Sequence, residues 1–309
     1  MFLERAKEGS NNFWRYLVSI IAVVAMLFIG QIPLGIVLVS AQLKGYDISQ
    51  FTKNMDFDLL GINPNIGLIL IVLSFAAGLL GLFLVVKYIH NKTFSSIITG
   101  FSKIRWSRVF YAFGLWFILS AIAELIFYYN NPDLYVFQFD AGLFIPLVFV
   151  SLIFLPLQTS FEEIFIRGYL MQAVGLIGYF RWVPLLVSSL IFGGLHFMNP
   201  EVAEYGMGLM MVYYIGFGIF MAVITLMDEG LELALGIHAL QNIYSSVFVG
   251  YKGGALQTPS LFMLTELNTQ AMLVSWLVVS ILFLFIVSRK YEWKNWGKLF
   301  GKIEFNQNP

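Results

Sequence analysis

Apolar residues run along this chain in long blocks separated by short polar segments. A membrane-spanning helix needs about 20 mostly apolar residues, with a range of about 17–25. Eight blocks meet or approach that length: Phe13–Ala41, Ile66–Tyr88, Trp106–Tyr129, Ala141 to about Gly175, Trp182–Met198, Gly206–Met227, Leu231–Gly250 and Gln270–Ser288. The first is long enough to tilt, or to kink at Pro33. The fourth is interrupted by Pro156 and by the charges Glu162, Glu163 and Arg167. The fourth, fifth and seventh are the least hydrophobic. The pattern predicts an all-α, polytopic membrane protein with about eight transmembrane helices. No polar loop is long enough to fold as a soluble domain, and neither a repeat nor a low-complexity tract is present. The chain divides into three N-terminal helices with their loops (1–140), helices four to seven (141–250), and a last helix with a basic-aromatic tail (251–309).

Composition supports this reading. Hydrophobic residues make up 59% and charged residues 12%, about half the share a soluble domain carries. Lys+Arg and Asp+Glu are both 18, so the net charge is near zero and says nothing about nucleic acid; for a membrane protein of this kind no nucleic-acid partner is expected. The chain has no cysteine, which excludes disulfides, thiolate metal ligands and a Cys nucleophile. The polar start MFLERAKEGSNNFW is not that of a cleaved signal peptide.

Basic residues in short loops set orientation. With the N-terminus in the cytoplasm and eight crossings, fifteen Lys and Arg residues fall on the cytoplasmic side. They come from the first 15 residues, from 87–108, from Arg167 and Arg181, and from 289–302. Only Lys44, Lys53 and Lys252 fall on the other side. The asymmetry predicts a multi-pass protein of the cytoplasmic membrane with both termini inside. Trp106, Trp182, Trp293 and Trp296 sit at predicted boundaries, as in an aromatic belt. The tail RKYEWKNWGKLFGKIEF reads as an anchor in the inner interface.

Ionisable residues inside a bilayer cost about 2.5–3.5 kcal/mol each on insertion scales, and so point to function. Three polar clusters lie in apolar blocks. In Phe161-Glu162-Glu163-Ile164-Phe165-Ile166-Arg167, Glu163 and Arg167 are four apart on one helix face and can pair. Glu162 points about 100° away and has no partner nearby in sequence, so it needs one such as a histidine. That is the setting of a general base; a buried ion pair with a snorkelling acid is the alternative. In Phe192-Gly193-Gly194-Leu195-His196, the glycines permit close backbone approach. His196 is either a site residue or an interhelical hydrogen-bond partner. In His238-Ala239-Leu240-Gln241-Asn242, His238 and Asn242 share a face and suit an oxyanion, or serve as polar glue between helices.

Together the clusters say more than apart. Two of only three histidines lie in apolar helices. Counted from their cytoplasmic ends, Glu162, His196 and His238 lie about 20, 21 and 10 Å deep. One cavity opening to the cytoplasm could therefore hold all three. His90, in the basic loop KYIHNKTF, reads as interfacial and structural.

E-E-x-x-x-R, F-x-x-x-H and H-x-x-x-N, in this order on separate late helices, resemble the CAAX-processing and bacteriocin-processing (Abi, or CPBP) family of intramembrane endopeptidases. The resemblance spans about Phe161–Tyr244, with Arg167-Gly168-Tyr169 and the FGGLHF stretch fitting as well. It implies that Glu162 and His196 activate a water, that His238 and Asn242 stabilise the oxyanion, and that Glu163 and Arg167 support them. It also implies a membrane-associated peptide or protein substrate, lipidated in some members, in contact with membrane lipid. Eukaryotic and archaeal-type members remove the last three residues of a prenylated CAAX tail, and bacterial members are associated with bacteriocin immunity and peptide maturation. No cofactor is expected. Zinc is the alternative, because Glu162, His196 and His238 are ligand types zinc accepts, although H-E-x-x-H is absent. A second alternative is a non-catalytic membrane protein, an immunity factor, a scaffold or a small transporter, since buried acids and histidines also serve proton relays.

Overall fold

All eight apolar blocks fold as helices in the computed structural model, which describes residues 1–305. These are α1 (Phe13–Leu43), α2 (Pro64–Leu84), α3 (Trp106–Asn130), α4 (Ala141–Glu163), α5 (Trp182–Leu195), α6 (Met207–Asp228), α7 (Glu232–Val247) and α8 (Thr269–Lys290). The end of the 251–309 segment, residues 306–309, lies outside the described residues. α1 runs unbroken through Pro33. α4 continues as a π-helix over Ile164–Leu170 and a further α-helical stretch over Met171–Ile177.

Local chemistry sets several of these starts. The Asn63 side chain accepts from the Asn65 amide with Pro64 in the first turn, Asp140 caps Gly142 and Leu143, and Asn268 caps Ala271. Each satisfies amides that the helix itself leaves free.

Among the described residues, six helices are long and apolar enough to cross a membrane. α5 and α7 are not among them. With 14 and 16 residues they reach about 21 and 24 Å, short of an apolar layer about 30 Å thick. They are tolerated because neighbours enclose them. α7 packs on α3, α4 and α6, and α5 packs on α6. Glycines set the spacing: a Cβ at Gly236 of α7 would lie 2.2 Å from the Val109 carbonyl oxygen, and one at Gly193 of α5 would lie 2.5 Å from Ile215. Gly194 has open space around it and makes no such approach.

The two ends of the bundle differ. At one end the N-terminal segment, the 85–105 connection, the α4–α5 and α6–α7 turns and the C-terminal tail knit together. Arg105 pairs with Asp228 at 2.9 Å and with Glu232 at 2.6 Å. Arg108 pairs with Asp228 and Arg181 with Glu4. The tail crosses this end as a strap: Lys298 donates to the Met227 carbonyl at 2.8 Å, and the Ile303 amide donates to Tyr179 at 3.0 Å. The tail expected to anchor at the inner interface thus also has fixed protein partners, through its backbone and Lys298. His90 is buried here, its Nδ1 2.8 Å from the Ser10 carbonyl and its Nε2 2.8 Å from the Tyr169 hydroxyl.

The opposite end carries a small sheet that the apolar pattern does not predict. β1 (Tyr135–Phe137) pairs antiparallel with β3 (Phe262–Leu264), and β2 (Val249–Tyr251) pairs parallel with β3. At three residues each, these strands are too short to leave a period-two signal.

Candidate active site

α4, α5 and α7 bring the three polar clusters together in the half of the bundle facing the sheet. Glu162 and Glu163 are the last two α-helical residues before the π-helix begins. Such wide turns are rare and concentrate at functional sites. Adjacent on the helix, the two acids diverge as expected. Glu163 is fully buried, and its Oε1 accepts from Arg167 Nη1 at 2.9 Å. Arg167, placed with the cytoplasmic charges from sequence, is instead buried inside the bundle, its guanidinium 4.0 Å from the centre of the Phe192 ring. Its charge is met by Glu163 and by the ring face, so it does not need the interface.

His238 lies between the two acids. Its Nδ1 is 2.8 Å from Glu163 Oε1 and its Nε2 is 3.4 Å from Glu162 Oε2. The Phe192 and Phe217 rings meet its ring edge-on, at 5.9 and 5.3 Å between centres. The ring is thus fixed by polar and aromatic contacts on several sides. Glu162 also has a sequence-local partner that the sequence reading did not identify: Gln158 Nε2, one turn earlier, donates to its Oε1 at 3.3 Å.

His196 caps the C-terminal end of α5. Its Nδ1 is 2.8 Å from the Phe192 carbonyl oxygen, so a proton there leaves the Nε2 lone pair free. The ring stacks on Tyr214 with centres 4.4 Å apart. Tyr214 in turn donates to Glu201, which also accepts from Asn199 Nδ2 at 3.0 Å. No hydrogen bond or ion pair joins His196 to Glu162; the histidine paired with Glu162 is His238.

Glu162, His196, His238 and Asn242 all line one cavity of about 300 Å³. Gln158, Gln241, Glu124 and Glu201 line it as well. Gln241 accepts from Trp116 Nε1 at 2.9 Å, which ties the floor to α3. Glu163 and Arg167 stand behind this wall. The sequence reading missed Glu124 and Glu201. An acid in the middle of an apolar helix was a usable signal for Glu124. Glu201 gave none, since after Asn199-Pro200 it reads as an ordinary loop residue. Among the described residues, no three His, Asp or Glu side chains converge as a metal-ligand set.

The lining of the cavity runs toward the sheet end of the bundle. Its outer walls are Tyr251, Ala255, Leu267 and Asn268, at the sheet end. No residue of the knitted end lines it. Depth counted along the helices located the residues along the bundle, and ion pairs and the tail strap cover the end away from the sheet.

A family model described as "Type II CAAX prenyl endopeptidase Rce1-like" matches residues 141–244. The chain is 32% identical over 266 residues to the "Uncharacterized protein YyaK" of Bacillus subtilis (strain 168), covering 85% of this chain and 87% of that protein. No solved structure matches.

Proposed function

This chain belongs to the Rce1-like family of type II CAAX prenyl endopeptidases, and from that premise we propose that it hydrolyses a membrane-associated peptide with a water activated inside the bundle. One observation carries the reading: Glu162, His196, His238 and Asn242, from three different helices, line the same cavity, with Glu162 within 3.4 Å of His238. A water held between Glu162 and the Nε2 lone pair of His196 loses a proton to the Glu162 carboxylate as its oxygen bonds to the scissile carbonyl carbon. Asn242 Nδ2 donates to the developing oxyanion, and His238 does so from Nε2 when both ring nitrogens carry protons. The C–N bond then breaks, and the proton on Glu162 passes to the leaving amine. Glu163 orients His238 through Nδ1, and Arg167 balances the charge of Glu163. No covalent enzyme intermediate is required.

The direct test is turnover of internally quenched, lipid-anchored peptides, CAAX-type sequences included, by the detergent-purified protein. Cleavage that persists unchanged when the four residues are replaced would assign it to other residues or to a contaminant, and no cleavage of any peptide would favour the non-catalytic alternative. Removing one oxyanion donor typically costs about 10²–10³-fold in kcat. Asn242→Ala is expected to lose turnover on that scale with KM little changed, read from steady-state kinetics. A drop confined to KM would remove Asn242 from the oxyanion role.

The proposed chemistry is metal-independent. Exhaustive chelation is expected to leave turnover unchanged. Loss on chelation that zinc restores would reassign Glu162, His196 and His238 as ligands.

A further inference from the structure

The closed and open ends of the bundle carry different charge. Fourteen Lys and Arg residues belong to the knitted end, Arg167 is internal, and only Lys44, Lys53 and Lys252 belong to the sheet end. Short basic connections stay in the cytoplasm, so the knitted end faces the cytoplasm. The cavity opens at the other end. Its walls carry Glu124, Glu162 and Glu201 and no Lys or Arg. A peptide ending in a free carboxylate on the cytoplasmic side would find neither an entrance nor a cationic partner.

We propose that the cavity admits extended peptide segments from the extracytoplasmic face of the membrane, and that it selects basic or neutral side chains over acidic ones. The inference deepens the endopeptidase reading by naming the side and the charge of its substrate. Walls carrying one sign of charge raise the local concentration of the opposite sign. Tyr251, Ala255, Leu267 and Asn268 stand where an incoming segment first meets the protein. The substrate class is therefore a secreted or membrane-tethered peptide exposed outside the cell.

The absence of cysteine makes the test direct. Single replacements Ala255→Cys and Lys252→Cys report on the cavity end, and Lys294→Cys, whose side chain is 82% exposed, reports on the knitted end. The full-length protein in intact cells is treated with membrane-impermeant thiol reagents of opposite charge. The first two variants are expected to react from outside, and Lys294→Cys only after permeabilisation. The reverse pattern overturns the proposal. At Ala255→Cys the cationic reagent is expected to react about tenfold faster than the anionic one, relative to their rates with a free thiol, with the gap closing as salt is added. Equal rates, or a faster anionic reagent, overturn the charge selection. These readouts need no turnover. Failure of the endopeptidase reading, with no peptide cut, would leave them standing, and reversed labelling would leave turnover standing.

Discussion

Glu162→Gln is expected to abolish peptide turnover while leaving the protein folded. The substitution keeps the shape of the side chain and can still accept from Gln158, but an amide cannot take a proton from water. General-base catalysis contributes typically about 10²–10⁴-fold, and a loss of that size in single-turnover rate is the expected result. The folded state should tolerate the change. Glu162 borders the cavity, and its contacts are the Gln158 hydrogen bond at 3.3 Å and the approach of His238 Nε2 at 3.4 Å. A thermal melt close to that of the unmodified protein, alongside lost turnover, is the signature to look for. Retained turnover would assign the base to another residue.

Glu163→Ala should behave in the opposite way, with stability as the primary loss. Arg167 is fully buried, and among the described residues Glu163 supplies its only ion pair. Removing one member of a buried pair costs about 3–5 kcal/mol, because the remaining charge stays out of water without compensation. The Phe192 ring offsets part of that, since a desolvated cation–π contact is worth about 2 kcal/mol. Unfolding in detergent should show a large fall in midpoint. The companion variant is Glu163→Met combined with Arg167→Met, which removes both charges and keeps the volume. It is expected to recover most of the stability but not the turnover, because His238 loses the acceptor at Nδ1. If the double variant is as unstable as the single one, the ion pair is not the source of the loss.

These two acids are neighbours in sequence, and their different fates were partly legible there. The four-residue spacing to Arg167 identified the Glu163 pair, and the 100° offset identified Glu162 as the one left facing elsewhere. The apolar blocks located every long helix, because a run of about 20 apolar residues has few other uses. The same signal overestimated α5 and α7. Their blocks ran to Met198 and Gly250, but the helices end at Leu195 and Val247, where His196 and the strand Val249–Tyr251 take over. Glu201 and the direction of the cavity were not legible. Both depend on contacts between segments far apart in the chain: Tyr214 with Glu201, and Arg105 with Glu232 across 127 residues. The strap made by the tail belongs with them, since a basic-aromatic sequence looks the same on a lipid surface and on a protein surface.

The shortness and polarity of α7 have a consequence for biogenesis. A segment carrying the acid Glu232 and the polar His238, Gln241 and Asn242 in 16 residues is a poor candidate for independent membrane insertion, since one charge alone costs about 2.5–3.5 kcal/mol at a helix centre. It must enter the bilayer escorted, paired with α6 through the tight Glu229–Leu231 turn and received by α3 and α4, which are synthesised before it. Two of the four residues of the proposed mechanism, His238 and Asn242, therefore sit on a helix that depends on its neighbours. The proposed hydrolytic centre is complete only once α7 is docked against α4 and α6.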